Sequence, residues 1–495
     1  MSVVSFEFLG FLAALAVVYY VLPMRVRKWA LLAGSAAFWL LCGWQGAAYL
    51  TAETLLIWGC ARLMGRFSER RGVCRALLVG GMVTVFGAMV LMKALSQLQA
   101  LPDGLLVPIG LSYFTFQSVG YLIDVYRGKV TPEKNYAKVL LFAGFFPQMT
   151  QGPITTWKQL MPQLDSPHRL SPNGFVSGVF LMAWGFFKKL VIADRLMPAV
   201  SVLVAAAQEL PGWLVLATAA MYAIVLYADF SGGIDISRGV AQMFGITMGE
   251  NFRRPYFSRT LTEYWHRWHI SLGDWLRNYL FYPLSISKAF LNWGRHAKQH
   301  LGNHIGKVLP TAVASLITFL VIGIWHGASW KYVAFGFWNG MVILVSTLLQ
   351  PVSDKVVAGL HIERKSAWYQ VFSMLRTFVV VLIGYYFDIV DGFRAAMGMM
   401  LKSVTDLHLS QLRPGAVLEA LPLTRYDWCV LLFGTVVIFT ASVIQERSQR
   451  TIREILDEKC LALRWAVLLA GIFAVVLMGV YGPGVQASEF VYMQF

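Results

Sequence analysis

Long apolar runs recur from one end of the chain to the other, and this limits what it can fold into more than any motif does. A helix needs roughly 17 to 25 residues to cross a hydrocarbon core of ~30 Å. Such runs lie at 3–22, 28–44, 47–64, 76–94, 105–123, 138–155, 174–192, 212–228, 309–325, 333–349, 372–389, 428–444 and 465–481, with a weaker one at 196–207. Length alone therefore predicts an all-α polytopic membrane protein with about 11 to 14 transmembrane helices. Charged residues make up only 14% of the 495 positions, against ~25% in soluble domains, so an ordinary soluble enzyme is excluded. The polar stretches 229–308 and 390–427 are too amphipathic or too short for a core of their own. One integral membrane domain over 1–495 is expected, with a re-entrant or amphipathic region at 227–308 and apolar helices at 309–349.

The first run has no basic residues before it and no small-residue cleavage pattern after it, which reads as a retained span. Cys42, Cys60, Cys74, Cys429 and Cys460 show neither metal spacing nor a disulfide framework, and are expected to be packing residues.

Charge sets the expected orientation. Arg25, Arg27 and Lys28 follow the first run, Arg66, Arg70, Arg71 and Arg75 the third, and Arg127, Lys129, Lys134 and Lys138 the fifth, whereas the alternate loops hold almost no Lys or Arg. By the positive-inside bias the basic loops face the cytoplasm and the amino terminus lies outside. Continuing the alternation places Lys188, Lys189, Arg195 and the stretch 229–308 on the cytoplasmic side. Between Arg253 and Lys307 nine basic residues face two acids, Glu263 and Asp274. With a net charge of +16 over the chain, that side suits anionic lipid heads or a phosphate-bearing small molecule. Nothing points to nucleic acid.

The stretch "TLTEYWHRWHISLGDWLRNYLFYPL", 260–284, is the most polar part of this region. Thr260 followed by Glu263 has the spacing of a capping box and Pro283 closes the run, which predicts one helix of about twenty residues. Helical spacing puts Trp265, Trp268, His269, Leu272, Leu276 and Tyr279 on one side and Arg267, Ser271, Asp274 and Asn278 on another. Such a helix belongs at the cytoplasmic interface or in a protein-lined cavity. His269 shares the aromatic side and is the candidate for burial, while His266 is turned about 60° away. A zinc pair on a helix prefers i, i+4 with a third ligand, so this i, i+3 pair points to no metal.

A second histidine ends an apolar run. In "FLVIGIWHGASWKYVAFGFWNG", 319–340, His326 sits between Trp325 and Gly327. An ionisable residue at membrane depth is costly and is a functional candidate by default, and desolvation keeps an imidazole neutral and able to accept a proton. Gly323 and Gly327 suit a narrow channel or a close backbone approach.

Taken with "PIGLSYFTFQSVGYLIDVYRG" (108–128), "FFPQMTQGPI" (145–154), "YADFSGGIDISRGVAQMFG" (227–245) and the terminal "EFVYMQF", these two stretches make the chain resemble the membrane-bound O-acyltransferase family along nearly its whole length. Within it, the chain looks like the bacterial branch typified by alginate O-acetyltransferase. The resemblance implies that His326 is the catalytic histidine and His269 the second polar position of the site. A ring of helices around a central tunnel is implied too. On that reading His326 removes the proton of an acceptor hydroxyl, and His269 positions the acceptor or donates to the oxyanion. Trp265, Trp268 and Tyr279 wall the pocket, Trp325 beside the catalytic histidine contributes to substrate binding, and Arg253, Arg254, Arg267 and Arg277 hold donor phosphates. Asp229, Ser231 and Asp235 begin a glycine-rich break, either a re-entrant turn supporting the site or a purely structural one. No tightly bound cofactor is implied. The donor is acetyl-coenzyme A or an acyl carrier protein thioester, the acceptor is a cell-envelope polysaccharide, an extracytoplasmic acetyltransferase partner completes delivery, and the location is the bacterial inner membrane.

Within the family, a D-alanyl transferase for teichoic acid is the alternative. From another class, a polysaccharide or lipid transporter predicts internal repeats with paired broken helices, and the sequence shows no such self-similarity.

Overall fold

A computed structural model describes residues 1–102, 105–166, 168–327, 329–411, 415, 421, 423–482 and 490. Apart from Phe490, the terminal stretch that carries part of the family likeness lies outside them. The described residues are organised almost wholly as helices. Eight are long and apolar enough to cross a membrane: Arg71–Gln97, Pro172–Ala205, Gly212–Met243, Asn303–His326, Trp330–Leu348, Ala367–Ile389, Arg425–Ser448 and Leu461–Met478. The shorter apolar helix Phe6–Val21 precedes them.

Fourteen runs thus give eight such helices: three more, at 3–22, 28–44 and 47–64, form the shorter or less apolar helices Phe6–Val21, Arg27–Cys42 and Trp44–Arg66, and the other three are lost for separate reasons. The run 105–123 yields the helix Leu111–Tyr126, of only 16 residues, and every residue from Leu111 to Val125 is buried. It is a core helix, and run length does not separate a core helix from a span. The run 138–155 breaks into Tyr136–Ala143 and the single turn Phe146–Met149, as Pro147 and Pro153 require. The runs 174–192 and 196–207 fuse into the one helix Pro172–Ala205.

Packing divides the chain into two units. The first comprises the described residues of Met1–Arg195, Leu226–Glu250 and Arg425–Phe495, and the second those of Leu196–Val225 and Asn251–Thr424.

In the first unit, two helices approach through glycines seven residues apart. A Cβ on Gly178 would lie 2.6 Å from the Gly239 carbonyl oxygen, and one on Gly185 would lie 2.6 Å from that of Gly232. Small residues let membrane helices meet at backbone distance, so Gly232 sits inside the continuous helix Gly212–Met243. The expected glycine-rich break at 229–235 is absent. These glycines serve contact between helices.

In the second unit, Asn303–His326 and Trp330–Leu348 form an antiparallel hairpin, again by glycine contact. A Cβ on Gly323 would meet the Tyr332 carbonyl oxygen at 2.3 Å, and one on Gly336 would meet that of Phe319 at 2.3 Å. Gly336→Ala must therefore push the hairpin apart and is expected to lower stability by about 1–3 kcal/mol. Gly384→Ala, whose Cβ would meet nothing closer than 3.5 Å, serves as the neutral control. Thermal midpoints in detergent check both, and an unchanged midpoint for Gly336→Ala would remove the close-approach explanation.

Candidate active site

The hairpin fixes His326. As the last residue of its helix and 7% exposed, it stacks on Tyr332 with ring centroids 5.7 Å apart and 23° between planes. Trp325 lies 4.7 Å from it and Phe335 5.8 Å. The sequence expects Gly323 to serve close approach, and its contact with the Tyr332 backbone draws the next helix, and with it Tyr332 and Phe335, against the imidazole.

His269 is placed differently from the expectation of one long helix. The stretch 260–284 holds the seven-residue helices Leu261–Arg267 and Ile270–Leu276, then the π-helical segment Arg277–Phe281. Between the first two, Trp268 is extended and His269 is left-handed, with φ +46°. A preceding segment causes the break. Phe252 pairs with Trp268 in an antiparallel bridge, the Arg253 amide donates to the Arg267 carbonyl at 2.9 Å, and the Ile270 amide donates to that of Asn251 at 3.0 Å. Histidine is among the residues enriched in this backbone region, and residues held there cluster at functional sites.

Thr260 caps the first helix by accepting the Glu263 amide at 3.1 Å, while the Glu263 carboxylate accepts the Arg259 amide at 2.9 Å. Half of the capping box therefore forms. His269 is buried and His266 exposed. His269 Nδ1 lies 3.4 Å from Asn251 Oδ1, an oxygen that also accepts the Ser271 amide at 2.8 Å. An acceptor facing Nδ1 favours the Nδ1–H tautomer and makes Nε2 the basic nitrogen.

Burial pushes the His269 imidazole from the ordinary 6.5 down to about 3, because the interior disfavours its charged form. The folded value lies below the unfolded one. Its contribution to stability is therefore complete above pH about 6.5 and is lost as pH falls toward about 3, at roughly 1.4 kcal/mol per pH unit. His269→Asn keeps a residue type that tolerates left-handed backbone and removes the titration. Thermal midpoints between pH about 6.5 and about 4 are expected to fall less steeply for the variant, and equal slopes would contradict the assignment.

Trp265 connects the two histidine-bearing elements. Its indole Nε1 donates to Asn339 Oδ1 at 3.1 Å, and its ring lies 5.2 Å from Phe319 and 6.1 Å from Phe335. Phe335 thus touches both Trp265 and His326. Trp268 stacks on Tyr264 at 5.6 Å, and the Tyr264 and Tyr385 hydroxyls are 2.7 Å apart. Tyr279 packs on Trp275 at 5.0 Å.

The arginines are placed less simply. Arg253 is exposed and Arg254 half-buried. Arg267 pairs with Glu263 at 2.7 Å, and Arg277 pairs with Asp274. A donor phosphate at either of the last two must compete with a carboxylate already in place.

Asp229, Ser231 and Asp235 lie in the first unit, where they face two lysines expected on the cytoplasmic side. Lys189 contacts Asp229 at 2.7 Å and Asp194 at 2.8 Å. Lys188 contacts Asp235 and Ser231, both at 2.8 Å. Both lysines are buried, at 2% and 0% exposed, in the π-helical segment Phe187–Ala193. The three polar residues thus hold these lysines in buried ion contacts. In the second unit Tyr222 donates to the Asp388 carboxylate at 2.6 Å.

An all-α polytopic membrane protein with a buried histidine at a hairpin turn is the class these features define. The family model described as MBOAT, membrane-bound O-acyltransferase family, matches residues 133–387, so the chain belongs to that family. It is 35% identical over 249 residues to the probable alginate O-acetylase of Azotobacter vinelandii, covering 50% of this chain and 46% of that one. It is 30% identical to a peptidoglycan O-acetyltransferase of Helicobacter pylori, covering 49% and 47%. It is 29% identical to a teichoic acid D-alanyltransferase of Streptococcus thermophilus, covering 58% and 68%. The matched stretch spans about half the length of the first two relatives.

Proposed function

We propose that the chain is an O-acyltransferase that passes an acetyl group from a cytoplasmic thioester to a hydroxyl of a cell-envelope polysaccharide outside the inner membrane. The observation that carries this reading is His326, buried at the end of an apolar span and walled by Trp325, Tyr332 and Phe335. The acceptor oxygen attacks the thioester carbonyl while the imidazole takes its proton. The C–S bond then breaks, and the imidazolium returns the proton to the departing sulfur. His269, with Nδ1 facing Asn251, offers Nε2 as an acceptor and so positions the acceptor through a second hydroxyl of the sugar, leaving the attacking hydroxyl's one proton to His326; of the two roles the resemblance implies, this is the one its tautomer suits. The aromatic walls exclude water and protect the thioester from hydrolysis.

Arg253, Arg254, Arg267 and Arg277 form the donor mouth, where phosphate contacts weaken as ionic strength rises. Basic loops on one side put the amino terminus outside. On this reading an extracytoplasmic acetyltransferase partner directs the group to particular hydroxyls, while this chain forms ester without it.

Purified protein given radiolabelled acetyl-coenzyme A and an acetylatable polysaccharide is expected to form labelled ester. Ester formation only from a D-alanyl carrier thioester would favour the second reading, which the 68% coverage of the streptococcal relative supports. Transport of polysaccharide with no ester from either donor would overturn both.

A further inference from the structure

We propose that a basic cleft in the first unit binds the glycerophosphate headgroup of an anionic phospholipid. The cleft has a volume of about 230 Å³, and its walls include Met24, Arg25, Arg27, Lys28, Asp165 and His168. Pockets that enclose drug-sized ligands run to roughly 300–1,000 Å³, so this one suits a headgroup and is too small for a whole coenzyme A.

The chain builds it at the end of its first helix. Phe6–Val21 stops at Leu22 and Pro23, and Arg27 begins the helix Arg27–Cys42. The end of Trp157–Asp165 forms the facing wall. Three cations, Arg25, Arg27 and Lys28, oppose one carboxylate, Asp165, which leaves the lining two charges positive.

Arg27 is fixed in place. It donates to the carbonyls of Leu22 at 3.0 Å, Tyr20 at 2.9 Å and His168, and its guanidinium stands 5.4 Å and 5.3 Å from the Tyr19 and Tyr20 rings. It frames the cleft as a standing positive charge.

Lys28 can be transferred from one anion to another. Asp165 receives both Lys28 and Lys138 at 2.8 Å. Burial alone would raise the Asp165 carboxyl, but these two ammonium groups outweigh it and hold it below the usual range. A phosphate entering the cleft takes Lys28, and Lys138 keeps Asp165 paired.

The surroundings favour a lipid over a soluble ester. Val17, Val18 and Val21, at 65%, 50% and 79% exposed, lie on the last turns of the helix that leads to the cleft, and Met24 at its wall is 39% exposed. An acyl chain along that apolar surface leaves its phosphate at the basic turn. Basic pockets beside membrane helices recognise headgroups in this way.

The test uses full-length protein delipidated in detergent, with thermal midpoints followed as short-chain phosphatidylglycerol, phosphatidylcholine or glycerol 3-phosphate is added. Phosphatidylglycerol is expected to raise the midpoint of the parent, while the other two leave it unchanged at equal concentration. Arg25→Gln with Lys28→Gln is expected to weaken the response about 25-fold in concentration, since each basic residue near an anionic head contributes about fivefold. Asp165→Asn removes the competing carboxylate and is expected to strengthen it, so the proposal does not rest on one variant that might fold poorly. Equal responses of all three proteins, or of the parent to phosphatidylcholine, would overturn the site. An equal response to glycerol 3-phosphate would overturn the lipid and leave a soluble phosphate ester as its ligand.

Discussion

Replacing His326 with alanine or glutamine is expected to lower acyl transfer by about 10² to 10⁴, the usual contribution of a positioned general base, while donor binding changes by less than about twofold. The separation follows from placement. His326 is enclosed by Trp325, Tyr332 and Phe335 at the hairpin turn, whereas the arginines proposed for the donor lie at 253–277. Glutamine keeps a polar side chain of similar reach and cannot accept and return a proton, so it should be nearly as inactive as alanine. Transfer kinetics with labelled donor, set beside equilibrium donor binding, check the prediction. A glutamine variant within tenfold of the parent would show that this imidazole holds the substrate without moving its proton.

The second large effect is on stability. Lys189→Met removes the cation that Asp229 and Asp194 both contact, in a place where the lysine side chain is 1% exposed. Breaking a buried pair by deleting one partner costs about 3–5 kcal/mol, because charge remains in a medium that solvates it poorly. The variant is expected to lose most of its monodisperse yield and to unfold well below the parent. Adding Asp229→Asn and Asp194→Asn neutralises that residue of charge and should restore much of the loss, since an apolar or neutral replacement of a whole buried ion cluster is often tolerated. A triple variant no better than Lys189→Met would mean that the lysine stem, and not its charge, holds these helices together.

How much of this could be read beforehand differs by element. Asn303–His326 and Leu461–Met478 are legible because their apolar runs are unbroken. Leu111–Tyr126 is as apolar but is buried by its neighbours, and a run of residues does not record what covers it. The burial of His269 and exposure of His266 follow from spacing along one helix. The break between them does not, because a bridge from Phe252, sixteen residues away in sequence, opens the backbone at Trp268, and helical periodicity carries no trace of that pairing.

Gly232 and Gly233 read as a turn, since glycine weakens isolated helices. In Gly212–Met243 the first of them lets Gly185 approach, and the partner lies some fifty residues earlier. The burial of Lys188 and Lys189 left one faint signal, two lysines followed some forty residues later by Asp229 and Asp235, six residues apart on one helix. His326 was legible because an ionisable side chain ending an apolar run has few ordinary explanations. The packing of Trp265 and His326 on the same Phe335 ring was not, since it joins segments some sixty residues apart.

The central claim is that His326 performs acyl transfer between the two sides of a membrane, and one measurement tests it directly. Sealed vesicles carrying the protein with its proposed cytoplasmic face inward, loaded with acetyl-labelled coenzyme A and bathed in polysaccharide, should place label on the outer hydroxyls. The same vesicles with His326→Ala should place almost none. Equal outer label with both proteins, or label confined to the inside with the parent, would contradict the account.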